Sequence, residues 1–333
     1  MKNDIITLAH GSGAGLTNQL IKEVFNSQFK LPSLDDSVQI NPPHQQLLKT
    51  VATTDAFVVK PLFFPGGDIG KLSICGTVND LSMSGAIPAY ILACFIIEEG
   101  FSISNLKMIV HSMQEAADES GVRIVAGDTK VVERGKCDGL YITTSGIGYV
   151  SNETNLSVKN IAVNDKIVVN GTLADHSIAI INVRQELDLD PAPTSDCAPL
   201  VELIQLMTTT KSLKFARDAT RGGVVTILNE VYCEIGLGMI IEEELIPVKQ
   251  STTAICDMLG LDPLYMANEG KFIAFIPSEN QNIVNELKKQ KYGKEATVIG
   301  YVTDEVDGVY LRTSLGGLRP LRMLASDPLP RIC

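Results

Sequence analysis

A glycine-rich, acidic stretch is the feature that most constrains this chain: residues 66–86 read GGDIGKLSICGTVNDLSMSGA. Its apolar residues are spaced for one buried helical face, which predicts a helix from about Asp68 to Ser84. Each glycine inside a helix costs about 1 kcal/mol relative to alanine, so this composition suggests that the backbone closely approaches another group. Because the stretch also carries Lys71 and Asp80, an anion or a metal ion is the favoured candidate. Solvated acids at a plain helix entry are the alternative.

The length of 333 residues predicts two domains of roughly 150 residues each. A formal net charge of −11 argues against DNA or RNA as a partner, since no basic surface would offset phosphate repulsion. The most apolar segment, residues 86–97, contains Pro88 and is too short to span a bilayer. The first residues lack the apolar core of a signal peptide, so we expect a cytoplasmic protein that binds no membrane.

Strand-like and helix-like segments alternate along the first half, which predicts an α/β (α+β) architecture. We predict a helix at residues 104–120, a strand or hairpin at residues 51–64, and strands at residues 86–97, 122–132 (interrupted at Gly127 and Asp128) and 140–150. The chain turns polar at residues 151–164, where we place a domain boundary. The predicted division is a first domain at 1–155, a second α/β domain at 156–318 and a tail at 319–333. Within the second domain, a helix is predicted over residues 279–289.

Two further stretches combine acids with glycine. Residues 216–225 read ARDATRGGVV and place Asp218 ahead of Gly222 and Gly223, which open a predicted helix whose N–H groups and macrodipole favour an anion. Residues 264–271 read LYMANEGK and place Glu269 in a loop before an apolar strand. Magnesium is held by a few carboxylates plus substrate phosphates, so acids from two domains predict a Mg-ATP site in the cleft between them. Helix caps and turn residues are the alternative roles for these candidates: Asp55, Asp68, Asp80, Asp128, Asp218 and Glu269.

Seven cysteines are scattered without any CxxC pair, which argues against a disulfide framework and a structural zinc site. Cys333 differs from the others because it is the last residue and follows Pro328 and Pro330. These prolines favour an extended segment, and from Ala325 to Cys333 the chain can reach at most about 28 Å. The sulfur could enter a cleft, be loaded elsewhere and return, as a carrier arm does. A chance terminal cysteine is the alternative.

The opening loop HGSGAG, residues 10–15, precedes a helical pattern over residues 16–25. Its backbone N–H groups could bind phosphate, although the loop lacks the GK[ST] of a P-loop. A flexible N-terminal segment is the alternative. Residues 31–48 contain three prolines and are predicted to be irregular, with a short helix near the end.

Taken in order, several of these motifs resemble the HypE family of hydrogenase maturation factors. The resemblance rests on GGDIGKLSICGTVNDLSMSGA, AGDTKVV, RDATRGG, ANEGK and the closing PRIC, and it runs from His10 to Cys333. The opening loop departs from the family pattern, since it reads HGSGAG where the family usually has HGSGG. This family belongs to the superfamily of ATP-binding enzymes that includes aminoimidazole ribonucleotide synthetase and selenophosphate synthetase.

The resemblance implies a two-domain aminoimidazole ribonucleotide synthetase-like fold whose N-terminal domain pairs with its twin into a dimeric β-barrel, with a flexible C-terminal tail. It implies an enzyme that uses ATP and Mg²⁺ to dehydrate an S-carbamoyl group to a thiocyanate. The carbamoyl group would come from the carbamoyltransferase HypF. The cyanide would pass to iron on the HypC–HypD complex, for the active site of nickel–iron hydrogenase.

The resemblance also implies roles for particular residues. Cys333 would carry the carbamoyl group, and Lys71 would meet phosphate together with the helix start at Gly222 and Gly223. Our hypothesis for the base that abstracts its protons is Glu269, because it lies in a glycine-flanked loop. Asp128 would line the same cleft, and Mg-ATP would be held by Asp55, Asp68, Asp80 and Asp218. Two alternatives remain open: another ATP-dependent enzyme of the superfamily that phosphorylates a small molecule, or a non-enzymatic nucleotide-binding scaffold for hydrogenase maturation.

Overall fold

The computed structural model describes residues 5–12, 15–31, 40, 48–187, 189, 191–326 and 329–333. The irregular segment with a short helix that we predict for residues 31–48 therefore lies almost wholly outside the described residues. Gly13 and Ala14 of the opening loop and Pro328 of the tail also lie outside them.

The first half is built on a four-stranded mixed sheet with the strand order β1-β6-β4-β5. Strands β4 and β5 are parallel, whereas β1 and β4 both run antiparallel to β6. A π-helical turn, Ile21–Phe25, joins the first two helices. The elements of this half are α1 Gly15–Leu20, α2 Asn26–Phe29, β1 Leu48–Phe57, β2 Phe63–Phe64, β3 Gly67–Asp68, α3 Ile69–Met83, β4 Ile87–Glu98, α4 Ile103–Ser120, β5 Arg123–Val132 and β6 Leu140–Ser151.

Helix α3 confirms the helix predicted for the glycine-rich stretch and is buried along most of its length. Asp68 caps its N-terminus, because the side-chain oxygen Oδ1 accepts hydrogen bonds from the backbone nitrogens of Gly70 and Lys71 at 2.7 and 3.0 Å. Two of its glycines allow close packing. A Cβ on Gly70 would lie 2.3 Å from the carbonyl oxygen of Ile109 in α4, and one on Gly76 would lie 2.9 Å from the ring of Phe57.

The second half is built on a seven-stranded sheet with the order β13-β12-β9-β11-β7-β10-β8. All neighbouring strands are antiparallel except β9 and β12, which are parallel. The elements are β7 Lys166–Val169, α5 Asp175–Arg184, α6 Val201–Thr209, β8 Phe215–Asp218, α7 Gly223–Ile235, β9 Gly238–Glu242, α8 Gln250–Leu259, β10 Phe272–Ile276, α9 Ile283–Leu287, β11 Thr297–Thr303, β12 Val309–Arg312 and β13 Leu318–Pro320.

Three local expectations differ from the structure. Strand β5 runs without a break through Gly127 and Asp128, because both pair with the parallel strand β4 and a glycine leaves room for the Ala93 carbonyl. The helix predicted over residues 279–289 is shorter and consists of a 3₁₀ turn, Ser278–Asn280, followed by α9. Strand β13 was not predicted, since its three exposed residues carry no alternating pattern and only the pairing with β12 defines it.

Helix α3 also joins the two halves of the chain. Its Asn79 side chain is buried and donates to the carbonyl oxygen of Ala198 at 3.1 Å, while it accepts from the backbone nitrogen of Leu200 at 2.8 Å. A buried amide with both groups satisfied fixes the orientation of the partners that it bridges. The same helix therefore belongs to the core of the first half and holds the second half against it. The predicted domain limits at 155 and 318 stay a prediction.

Candidate functional site

Two of the predicted acids face each other across strand β1 and helix α3. Thr53 donates a hydrogen bond to Asp80 Oδ2 at 2.9 Å, and a Cβ on Gly76 would lie 3.7 Å from Asp55 Oδ2. Residues 53 and 55 share one face of a strand, and residues 76 and 80 share one face of a helix. Burial raises the pKa of Asp80, and the charge of Asp55 raises it further.

Asp218 joins these acids from the second half of the chain. It is the last residue of β8, where it pairs with Phe272, and helix α3 packs against this strand. Burial raises the pKa of Asp218 to about 7, and the negative charges of Asp80 and Asp55 contribute to the shift. Carboxylates that raise each other's pKa values form a site with excess negative charge, which a bound cation would relieve.

Glu269 lies shortly before strand β10, where the charges of Asp218 and Asp55 act on it. Its side chain is buried, and Oε1 has no hydrogen-bond partner among the described residues. The backbone is firmly placed, because its nitrogen donates to Asp196 Oδ1 at 3.1 Å and its carbonyl accepts from Ala198 at 3.3 Å. Burial raises the pKa of Glu269 well above its ordinary value, and the charges of Asp218 and Asp196 raise it further. The conjugate base of this buried acid is therefore strong for a carboxylate.

Asp68 and Lys71 stand at the other end of α3 from Asp80. Besides capping the helix, Asp68 Oδ1 accepts a hydrogen bond from Ser112 at 2.7 Å, so this acid has a structural role in the chain as described. Lys71 Nζ donates to the carbonyl oxygen of Gly66 at 3.0 Å. It lines a cavity of about 550 Å³ between the two halves, to which Lys271 and Lys291 also contribute. Lys71 is thus in a position to meet an anion from this cavity.

Asp128 and the glycine pair have different surroundings from the acid cluster. Asp128 is exposed on the edge strand β5 and forms a 2.7 Å ion pair with Lys130, whose hydrogen bond lowers the pKa of the carboxyl group. Among the described residues, no hydrogen bond or ion pair joins Asp128 to Asp55 or Asp80. Gly222 and Gly223 do begin helix α7, both with positive φ, but the Gly223 nitrogen already donates to the Thr220 carbonyl at 2.9 Å.

The end of the chain is docked against the first half rather than extended away from it. Val58, three residues after Asp55, donates its backbone N–H to the Cys333 backbone oxygen at 3.2 Å. Ile332 is only 1% exposed and belongs to the same apolar cluster as Ala267, two residues before Glu269. The structure therefore brings the backbone of Cys333 to the segment just after β1, the strand that carries Asp55.

Sequence reasoning missed two residues that hold this tail, His176 and Arg184. The four histidines show no paired metal-ligand spacing, and neither residue lies in a glycine-rich motif. Their contacts connect positions about 150 residues apart in the sequence, so no local signal could have revealed them.

His10 of the opening loop is also buried, and its Nε2 has no partner among the described residues.

No group of three or more His, Cys, Asp or Glu side chains in the described ranges is arranged to hold a metal ion by itself. This agrees with the chemistry of magnesium, which usually takes one or two carboxylates together with substrate phosphates. The mutual repulsion of Asp55, Asp80 and Asp218 fits such a shared ion. The donor set therefore suits Mg²⁺ that arrives with a nucleotide, rather than a resident metal.

Comparison with known proteins defines the class to which this fold belongs. The model of the AIR synthase related protein, N-terminal domain, matches residues 35–150, and that of the C-terminal domain matches residues 162–311. The two-domain α/β architecture is therefore that of an AIR synthase related protein. Thiamine monophosphate kinase from Aquifex aeolicus shares this fold at a TM-score of 0.62 with 16% sequence identity, covering 92% of this chain and 100% of that one.

Closer relatives define the family. Carbamoyl dehydratase HypE of Rhodobacter capsulatus is 41% identical over 338 residues, covering 100% of this chain and 99% of that protein. A crystal structure of hydrogenase maturation protein HypE in complex with ATP has a TM-score of 0.93 and 38% identity, covering 98% and 99% of the two chains. HypE in a HypE–HypF complex is 48% identical over 83% of this chain and 90% of that one, with a TM-score of 0.80. The chain belongs to the HypE family, which confirms the resemblance seen in the motifs.

None of the helices in the described residues is both long and apolar enough to cross a membrane.

Proposed function

We propose that this protein is an ATP-dependent carbamoyl dehydratase that converts an S-carbamoyl group on Cys333 to a thiocyanate, in the cytoplasm. The single observation that carries the proposal is the docking of Cys333 beside the strand of Asp55, with Ile332 buried in the apolar cluster that contains Ala267. A carrier sulfur, a buried acid and a cluster of carboxylates from both halves are the parts that such a dehydration needs. The thiocyanate would supply cyanide for assembling the iron centre of nickel–iron hydrogenase.

The reaction balances as S-carbamoyl-cysteine plus ATP giving S-cyano-cysteine, ADP and phosphate. The oxygen of an amide is a poor leaving group, so transfer of the γ-phosphoryl group to that oxygen makes it leave as phosphate. The nitrogen loses two protons as the C≡N bond forms. Glu269 is the proposed proton acceptor, because a raised pKa makes its carboxylate a stronger base. The group must ionise before it acts, and a bound cation nearby would favour that state.

The proposed ligands of Mg-ATP are Asp55, Asp80 and Asp218, with Asp68 as the further member predicted from the family motif. Among these, Asp68 already accepts three hydrogen bonds and contributes mainly by capping α3. Lys71, Gly222 and Gly223 are proposed to meet phosphate, and Asp128 is proposed to line the cleft. When bound, magnesium would neutralise charge that develops on the transferred phosphoryl group.

A homodimer is proposed from the open face of the first sheet. The side chains that β4 and β6 turn away from their own core are half-exposed and largely apolar: Leu92, Cys94, Ile96, Tyr141 and Ile147. An apolar sheet face of this kind marks a protein interface, and a second copy would cover it as the family's dimeric barrel does. HypF, seen with a related HypE in a crystal structure, is the proposed carbamoyl donor, and the HypC–HypD complex is the proposed acceptor of cyanide.

The function is tested on protein whose Cys333 carries a carbamoyl group. Incubation with Mg-ATP should remove the mass of one water from the C-terminal peptide, as measured by mass spectrometry. ATP without Mg²⁺ should leave the mass unchanged, and Cys333→Ser should abolish loading. Binding of ATP without any loss of water would instead favour a nucleotide-binding scaffold. Appearance of a phosphorylated small molecule would favour another enzyme of the superfamily.

A further inference from the structure

Arg184 ties the end of the chain to both halves of the protein. It is the last residue of helix α5, and its guanidinium donates to the carbonyl oxygens of Pro330 and Arg331 in the tail. A third hydrogen bond goes to the carbonyl oxygen of Lys60 in the first half. Hydrogen bonds from a charged donor are about twice as strong as neutral ones, so Arg184 contributes much of the attachment.

His176 holds the next carbonyl of the tail. This histidine is fully buried, and its Nε2 lies 2.8 Å from the carbonyl oxygen of Ile332. A carbonyl oxygen only accepts, so Nε2 carries the proton and Nδ1 accepts from the Ser195 hydroxyl at 2.8 Å. The Ser195 oxygen in turn accepts from the backbone nitrogen of Cys197 at 3.1 Å. This chain of hydrogen bonds fixes the ring, whose edge packs on Phe64.

Arg331 anchors the tail on the side of the first half. Its Nε donates to the carbonyl oxygen of Val58 at 2.9 Å, and its Nη1 donates to Asp138 Oδ2 at 2.7 Å. Asp138 also forms an ion pair with Lys60 at 2.7 Å. The Lys60 backbone nitrogen donates to the Arg331 carbonyl at 3.3 Å, so the tail pairs with residues 58–60 like an added strand.

We propose that Arg184 and His176, together with the Arg331–Asp138 pair, form a latch that holds the tail and its Cys333 against the first half and that must open whenever another protein loads or unloads this cysteine. Arg184 and His176 are positioning residues, since both bind backbone oxygens of the tail. Backbone oxygens do not change when the sulfur is loaded. The latch therefore holds the tail in the same position whether Cys333 is empty or loaded. The statement that Cys333 carries a group rests on the proposed function, whereas the latch itself is a property of the docked tail.

The latch is tested by the rate at which iodoacetamide alkylates Cys333 in the full-length protein without ATP, followed by the mass of the C-terminal peptide. Arg184→Met removes both hydrogen bonds to the tail, so alkylation should accelerate about tenfold or more. Arg319→Met is the matched control. Arg319 lies on strand β13 and pairs with Asp262, so removing its charge should leave the alkylation rate unchanged. In a carbamoylated sample, Arg184→Met should slow dehydration while the KM for ATP stays the same.

Asp138→Asn provides a second variant if Arg184→Met fails to fold, since it weakens the Arg331 anchor at a more exposed position. It should also accelerate alkylation. If folded Arg184→Met and Asp138→Asn proteins are both alkylated at the wild-type rate, the latch does not exist. A wild-type protein that never dehydrates its carbamoyl group would overturn the proposed function alone, because the alkylation rates are measured without that reaction.

Discussion

At the scale of single residues, Glu269 has the most unusual environment in the proposed site. It is a carboxylic acid with 3% of its surface exposed, one oxygen without a partner among the described residues, and several negative neighbours. Such an acid destabilises the fold when it ionises, because burial penalises the charged form. Proteins retain such strained groups mainly at functional sites. A buried Glu269 lowers the stability of the fold when it ionises, and its presence despite this cost is the physical argument for a catalytic role.

The first prediction concerns Glu269→Gln. Loss of the proposed base should slow dehydration of the carbamoylated tail by about 10²- to 10⁴-fold, with ATP binding retained. The measurement is the rate of water loss from the C-terminal peptide. Glu279→Gln, which changes an exposed acid, is the matched control and should dehydrate normally. Normal dehydration by Glu269→Gln would remove this residue from the mechanism.

The second prediction concerns stability against pH. The pKa of Asp218 is raised to about 7 in the folded protein, whereas an unfolded aspartate titrates near 3.9. Between these values the folded chain holds a proton that the unfolded chain has lost, so stability falls as pH rises. In thermal melts, the Tm should decline as the pH rises from about 4 to 7. In the Asp218→Asn variant this dependence of Tm on pH should be weaker. Mg-ATP should also flatten it, and a Tm that rises over this range would contradict the assigned shift.

At the scale of elements, helix α3 organises the molecule. Asp68 caps it, Gly70 lets it approach α4, Asn79 bridges it to the second half, and Asp80 faces Thr53 on β1. The helix is buried almost all round, which an amphipathic pattern alone would not predict. The position of the acids therefore depends on close packing along the whole helix.

The third prediction tests this packing with Gly70→Ala. The added methyl group would lie 2.3 Å from the Ile109 carbonyl, which forces the two helices apart. We expect a loss of about 1–3 kcal/mol in the free energy of unfolding, or more, measured by urea denaturation. Gly15→Ala in α1 is the matched control, because its new Cβ would have no neighbour within 4 Å in the part of the chain that the structure describes. An equal effect of both substitutions would refute the role assigned to Gly70.

At the scale of the whole molecule, the site is assembled from parts of both halves. The first sheet supplies Asp55, helix α3 supplies Asp80, and the second sheet supplies Asp218 and the strand that follows Glu269. The tail then crosses to the first half and ends beside it. Neither half holds all the groups that the proposed dehydration needs. The open face of the first sheet is the surface on which we propose that a second copy packs.

The fourth prediction tests that second copy with Leu92→Glu. A charge in the middle of the open sheet face should be too costly to bury, so the proposed dimer should dissociate. Size-exclusion chromatography with light scattering measures the mass directly. Met108→Glu, an exposed apolar residue on helix α4, is the matched control and should leave the dimer intact. A wild-type protein that is a monomer would contradict the dimer itself.

The sequence by itself determined the local elements with strong signals. Helix α3 follows from its capping aspartate and apolar spacing, and strand β10 lies where the apolar run 272–276 predicts it. The alternation of elements and the family motifs further predicted the α/β class. Signals of this kind depend only on residues that are close in the sequence, so they can be recognised before the fold is known.

Only the tertiary structure decided which polar groups meet. Asp55, Asp80 and Asp218 influence one another across the two halves, whereas Asp128, equally prominent in the sequence, pairs with Lys130 on an edge strand. The backbone contacts of His176 and Arg184 with the tail were likewise invisible in the sequence. Charges and hydrogen bonds act over a few ångströms of space regardless of separation along the chain, and burial sets their strength. These interactions could therefore be known only once the chain had folded.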